Sequence, residues 1–158
     1  MHDITPCLWF DTEAQDAAVF YTSVFPDSRI TSTTHYGEAG PREAGMVLTV
    51  AFELDGRPFL GLNGGPNYTF SEAISFQVMC DDQEQVDHFW DALSEGGEEG
   101  PCGWLKDRFG VSWQIVPRAL PQLLSSPDAE TSQRVMSCMM GMRKLVIADL
   151  EQAATTAV

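Results

Sequence analysis

The feature that most constrains this 158-residue chain is that its pattern of elements restarts. Shifting the sequence by 69 residues lays Phe20-Tyr21 on Phe89-Trp90, Val24 on Leu93 and Ala17 on Val86. The first strand segment, Pro6 to Phe10, falls on Ser75 to Met79. Identity across the shift is low, so the repeat lies in the pattern. Each copy reads strand, helix, then two or three strands, and an internal repeat decides the fold before any single element does. Two β-α-β-β-β units can pair their sheets into one half-open barrel enclosing a cavity. The alternative is a chance alternation inside an ordinary α+β domain.

Local signals give the elements. Ile4 to Phe10 is short and apolar and reads as a strand. Ala14 to Phe25 has helical spacing, with Ala17, Phe20, Tyr21 and Val24 at i, i+3, i+4 and i+7. Asp11 or Thr12 can cap it, and Pro26-Asp27 stops it. Ser28 to Tyr36, Met46 to Leu54 and Arg57 to Asn63 read as strands, the last two joined by an Asp55-Gly56 hairpin turn. In the second copy, Ile74 to Cys80 is a strand, Asp81-Asp82 a cap, and Gln83 to Leu93 a helix with Val86, Phe89, Trp90 and Leu93 on one face. Cys102 to Leu105 and Gly110 to Pro117 read as strands around an Asp107-Arg108-Phe109-Gly110 turn. From Pro121 to Ala154 the chain is mostly helical, with a last helix carrying Val135, Met136, Met139, Met140, Met142, Val146, Ile147 and Leu150. The expected organisation is one domain over 1–158, with a first module at 4–66, a second at 70–118 and a helical tail at 119–158.

Charge narrows the partners. Nine Lys+Arg face 23 Asp+Glu, for a formal net charge of −14. Such a surface repels phosphate backbones and anionic headgroups, so neither nucleic acid nor membrane is expected as a partner. No apolar run approaches the ~20 residues that cross a bilayer. The N-terminal residues lack the basic start and apolar core of a signal peptide, so the cytoplasm is the expected location. Cys7, Cys80, Cys102 and Cys138 are scattered without a C-x-x-C pair, which excludes a metal knuckle or thioredoxin-like motif. Cys7 and Cys80 lie on strands and read as core. Asp81, Asp82, Glu84 and Asp87 read as a solvated helix start favoured by the helix dipole.

An ordered series of short motifs carries a family resemblance. Trp9-Phe10 precedes Ala17-x-x-Phe20-Tyr21-x-x-Val24-Phe25, then Phe59-Leu60-Gly61-Leu62-Asn63-Gly64-Gly65 and Phe70-x-Glu72-Ala73-Ile74-Ser75-Phe76. Val86-Asp87-x-x-Trp90-x-x-Leu93 follows, then the most specific run, from Cys102-Gly103-Trp104-Leu105-Lys106-Asp107 through Trp113-Gln114-Ile115-Val116-Pro117. Val135-Met136-x-x-Met139-Met140-x-Met142-x-Lys144 closes the series. Over residues 4 to 153 the sequence resembles the vicinal-oxygen-chelate superfamily, the glyoxalase and bleomycin-resistance fold. Within it the PhnB-like branch, often labelled 3-demethylubiquinone-9 3-methyltransferase, is the nearest in pattern. The resemblance implies an α+β fold, two β-α-β-β-β modules forming a half-open barrel with a C-terminal helical tail, and a homodimer.

The resemblance also implies where a metal would sit. Catalytic members hold a divalent ion through His and Glu on the first and last strands of each module. Those positions fall here on Pro6, about Gly61, Ser75 and Gln114, none of which supplies a carboxylate or imidazole. His2, His35 and His88 lie elsewhere and do not replace them. No metal and no cofactor is therefore expected. Methyl transfer fares poorly as well, because S-adenosylmethionine sites usually place a Gly-rich loop after the first strand. Here that strand runs into Phe10-Asp11-Thr12-Glu13-Ala14.

Five residues are candidates for binding a small molecule: Gln114, Trp104, Lys106, Asn63 and Ser75. Gln114 and Ser75 occupy inherited ligand positions that should face the cavity; an amide there can bond a polar ligand or be satisfied internally. Lys106 can offer a cation to an anionic ligand and Trp104 a stacking wall; alternatively, Lys106 and Asp107 are solvated in a hairpin and Trp104 plugs the core. Asn63 can face the cavity or serve its turn. Cys102 has only Lys106 nearby in sequence to activate its thiol. Three functions follow: a metal-free small-molecule-binding homodimer, a small enzyme working without the inherited metal, or a structural dimer whose cavity is filled by Trp9, Phe76, Trp104 and Trp113.

Overall fold

A computed structural model describes residues 2–155, which fold as two compact units divided between Phe70 and Ser71. The first unit contains β1 (Cys7–Phe10), α1 (Ala14–Val24), β2 (Arg29–His35), β3 (Val47–Leu54) and β4 (Arg57–Asn63). The second contains β5 (Phe76–Cys80), α2 (Gln83–Ser94), β6 (Glu98–Glu99), β7 (Trp104–Lys106) and β8 (Ser112–Pro117). The tail follows as α3 (Ala119–Leu124), α4 (Ala129–Met140) and α5 (Ile147–Thr155).

The two sheets have the same topology. Their orders are β1-β4-β3-β2 and β5-β8-β7-β6. In each, the first strand runs parallel to the last and the other pairings are antiparallel. The repeat is therefore architectural, and chance alternation is set aside. The 69-residue shift carries the first residue of β1 onto that of β5, and the first residue of α1 onto that of α2.

In the first unit, α1 buries Ala14, Ala17, Ala18, Tyr21 and Val24. Opposite it, β3 buries every second residue, Val50, Phe52 and Leu54, as a one-sided strand must. Small side chains let helix and sheet approach closely: a Cβ on Gly61 would stand 3.2 Å from the Ala14 Cβ. Gly61 thus faces the helix, not the opposite side of the sheet where an inherited ligand position should lie. Its neighbours Leu60 and Leu62 take that side and bring no donor atom. Asp55 and Gly56 turn the β3–β4 hairpin with φ of 49° and 73°. That pair of left-handed residues is what a two-residue turn of this hand needs.

Local expectations fail in four places. Neither Asp11 nor Thr12 caps α1; the Ala14 N–H donates instead to Asn63 Oδ1, 49 positions away. Strand β6 consists of two glutamates and has no apolar alternation to announce it. The expected single last helix breaks after Met140 at Gly141, so its apolar residues divide among α4, the link at 141–146, which holds Met142 and Val146, and α5. Cys7 is exposed, because Leu8 and Phe10 take the buried side of β1; only Cys80 is core, with its thiol pKa pushed by burial up to about 11.

The tail closes over one end of the second sheet. Leu120, Val135, Leu145 and Leu150 are buried with Val116 of β8, and Met79, Met139 and Met142 pack against them. Gln83, at the start of α2, locks the joint by donating to Leu145 O (3.1 Å) and accepting from Ile147 N (2.9 Å). Lys144 bridges Asp87 and Asp91 of α2 at 3.1 and 3.2 Å. Among the described residues, no helix is long and apolar enough to cross a membrane.

Candidate functional site

The site is built on the face of the second sheet that points away from α2. Cross-strand partners share a face, so the register sorts the side chains into rows. Glu98, Lys106 and Ser112 form one row across β6, β7 and β8. Trp104, Gln114 and Gln77 form the next across β7, β8 and β5. The residues between them, Leu105, Trp113 and Ile115, are buried on the helix side.

Within these rows the sequence candidates meet. Gln114 Nε2 donates to Ser75 Oγ at 2.8 Å, and Gln77 Nε2 reaches Gln114 Oε1 at 3.5 Å. Two of the four inherited corner positions are thus hydrogen-bonded to one another, as an amide and a hydroxyl. Lys106 Nζ lies 2.6 Å from Glu72 Oε1 and 3.9 Å from Glu98 Oε2. The hydrogen bond with Glu72 raises the ammonium pKa above the ordinary lysine value, and the same contact holds the Glu72 carboxyl below its usual range. Lys106 is therefore already paired with carboxylate, which runs against a free cation awaiting an anion.

Beside these residues opens a cleft of about 330 Å³, walled by Glu72, Glu98, Trp104 and Lys106. Ser112 lines it and is 2% exposed. Among the described residues, its Oγ is the buried side-chain oxygen or nitrogen left without a hydrogen-bond partner. Ser112 is not among the five candidates the sequence offers, although its position two residues before Gln114 on one strand puts it on the same face.

The β7–β8 hairpin that carries both rows is pinned by Asp107. This carboxylate is 2% exposed, not solvated as one sequence reading had it. Oδ1 accepts from Phe109 N (2.8 Å) and Val111 N (3.0 Å), and Oδ2 from Trp113 Nε1 (2.8 Å). Trp113 and its ring neighbour Phe76, 5.4 Å away, accordingly lie on the helix side. They do not fill the open face, so the filled-cavity reading loses two of its four aromatics. Trp9 packs on its own loop, with Nε1 donating to Gly65 O at 2.8 Å and Tyr68 edge-on.

The fifth candidate, Asn63, stands in the first unit and is 1% exposed. Oδ1 takes the Ala14 N–H at 2.9 Å and Nδ2 donates to Val47 O at 3.0 Å, so both polar ends hold the fold together. Cys102 Sγ contacts Met140 Sδ at 3.7 Å, while the Lys106 ammonium is drawn to Glu72. The acidic stretch at the start of α2 has separate duties: Asp82 caps the helix, Asp81 pairs with Arg118, and Asp87 takes Gln83 and Lys144.

The inherited metal does not fit these residues. A hydroxyl bonded to a neutral amide is a poor donor pair for a divalent ion, and Pro6 and Gly61 bring no side-chain donor at all. Among the described residues, no three His, Cys, Asp or Glu side chains gather so as to hold a metal. Nor does the chain carry, between β1 and α1, the Gly-rich loop that holds S-adenosylmethionine in a doubly wound fold. The turn from β1 to α1 contains no glycine, and the N-terminus of α1 is occupied by Asn63.

Comparison with known proteins agrees with this architecture. Residues 2–116 match the family model described as 3-demethylubiquinone-9 3-methyltransferase, so α3 to α5 lie beyond the matched range. A Bacillus cereus PhnB protein, described as a 3-demethylubiquinone-9 3-methyltransferase, is 34% identical with a TM-score of 0.66, over 73% of this chain and 99% of its own. Protein PA1353 from Pseudomonas aeruginosa aligns at 18% identity and TM-score 0.62, over 74% of this chain and 98% of its own. The fosfomycin resistance protein FosX from Mesorhizobium loti shares the fold at 11% identity and TM-score 0.53, over 80% of this chain and all of its own. No curated protein matches the sequence. The repeated β-α-β-β-β topology, the family model and the Bacillus relative together place this chain in the PhnB-like, 3-demethylubiquinone-9 3-methyltransferase family of the glyoxalase/bleomycin-resistance fold.

Proposed function

We propose that the chain is a small-molecule-binding homodimer that uses no metal at the inherited corners. The observation that carries this reading is the 2.8 Å Gln114–Ser75 hydrogen bond on an open sheet face beside the cleft. Neutral donors and acceptors stand where the fold's catalytic relatives need charged ligands. With Trp104 alongside, they make a surface suited to a small polar-aromatic or polar-aliphatic molecule. Gln114, Ser75, Trp104 and Lys106 are the binding residues of this reading, and Asn63 supports the fold. Homodimerisation is supported by the family and by Met136 and Met140, which stay 44% and 63% exposed on the tail. The acidic surface disfavours nucleic acid and anionic membranes as partners.

Native mass spectrometry of protein purified without chelator tests this directly. It is expected to show a dimer and less than one equivalent of Zn, Mn, Fe or Ni. A tightly held equivalent of any of these overturns the metal-free reading. Gln114→Ala is expected to weaken binding of the small molecule by about 1–3 kcal/mol through a lost buried hydrogen bond; unchanged affinity removes Gln114 from the site.

A further inference from the structure

The cleft on the second unit says more about its ligand than that it is small. Three carboxylates approach it, Glu72, Glu98 and Glu99, and the cations near them are Lys106 and Arg143. Only the first is closely paired. Lys106 sits 2.6 Å from Glu72, and Arg143 lies 3.8 Å from Glu99, which also accepts from Trp90 Nε1 at 3.2 Å. Glu98 is different: its carboxylate is 79% exposed, and Lys106 Nζ stands off at 3.9 Å, bonded to Glu72 instead. Among the residues that line the cleft, the cation, Lys106, is thus closely bonded to Glu72, and Glu98 is a loosely engaged anion. Next to it stand an indole side chain, Trp104, and a buried hydroxyl without a partner, Ser112 Oγ.

Resting on the reading of this face as a ligand site, we propose that the cleft takes a small organic ammonium ion. Its charged nitrogen takes the place beside Glu98 from which Lys106 is drawn away by Glu72, on the side toward Ser112, and its carbon body lies against Trp104. Each group contributes a separate attraction. An ammonium is drawn to an indole face by the ring quadrupole. Its N–H groups can donate to the Glu98 carboxylate and to Ser112 Oγ, and a hydroxyl buried without a partner gains from any ligand that bonds it. The chain's net charge of −14 raises the local concentration of cations. An anion meets the reverse: to reach Lys106 it must displace Glu72 and approach two further carboxylates. The register explains why these groups converge, since Glu98, Lys106 and Ser112 are successive partners across three strands.

Three probes of equal size and different charge test this on the full chain: 2-phenylethylammonium, 2-phenylethanol and phenylacetate, followed by tryptophan fluorescence and calorimetry. The ammonium is expected to bind about tenfold more tightly than the alcohol, with phenylacetate weakest. Its advantage should shrink as salt is raised. Glu98→Gln, at an exposed position that leaves the core untouched, should remove most of the ammonium's advantage over the alcohol. Ser112→Ala and Trp104→Leu should each weaken the ammonium severalfold. If the alcohol or phenylacetate binds as well as the ammonium, or Glu98→Gln leaves the preference intact, the cation assignment is overturned while the face remains a binding site. If none of the three binds at millimolar concentration, both the cation assignment and the binding role of this face fail.

Discussion

Removing the Asp107 carboxylate should cost this protein much of its stability, and the structure sets the size of the loss. Asp107→Ala strips the acceptors from Phe109 N, Val111 N and Trp113 Nε1. The last two bonds are buried, so water cannot easily replace them, whereas Phe109 N is only part-buried. A buried donor left unpaired costs about 1–3 kcal/mol. Two of them give roughly 2–6 kcal/mol, against a usual total of about 5–15 kcal/mol. For a chain of this length, at about 2–4 °C per kcal/mol, that lowers the melting temperature by about 4–24 °C. Asp107→Asn should fall between, because its amide keeps one oxygen for the two backbone N–H groups but turns an NH₂ toward the Trp113 indole N–H. Urea unfolding, monitored by tryptophan fluorescence and by far-UV dichroism, reads both variants. A loss below about 0.5 kcal/mol for the alanine variant, the range of an ordinary surface change, would refute the claim that this carboxylate pins the hairpin.

Three further predictions rest on other contacts. Asn63→Ala should destabilise by about 1–3 kcal/mol, because Ala14 N and Val47 O lose their partner together; a near-neutral urea midpoint would contradict that role. Cys80, with its thiol pushed up to about 11 by burial, should resist Ellman's reagent at pH 8 until the chain is unfolded, whereas Cys7, which is exposed although partial desolvation raises its thiol as well, should be labelled in the folded chain. Hydrogen bonds with Thr131 hold Asp128, the α4 cap, below the ordinary carboxylate range, and one from Gln83 does the same for Asp87. A lowered native pKa stabilises above the unfolded value and is lost as pH falls through it. Melting temperature should therefore drop as pH falls below about 4, and Asp128→Asn should flatten part of that drop; equal acid slopes in the two proteins would remove Asp128 from the account.

Much of this was written in the order of residues. A helix of i, i+3, i+4 spacing and strands of period two recur after 69 residues, and such spacings bind a chain to one-sided helices and sheets whatever surrounds them. The left-handed Asp55-Gly56 turn and the Asp82 cap are equally local. Gln114 and Ser75 could be nominated because strand alternation fixes which face a residue takes once the strand is known. Tertiary structure decided everything that depends on partners distant in sequence. Asn63 replaced the local cap of α1, Gly61 turned to the helix because Ala14 lies against it, and β6 formed because two glutamates met β7. Lys106 lost the role of a free cation for the same reason, since Glu72 lies 34 positions earlier and nothing in the intervening sequence brings the two together. Periodicity reports which side of an element is buried; which group waits on that side, and with what charge, is settled only when separate strands fall into register.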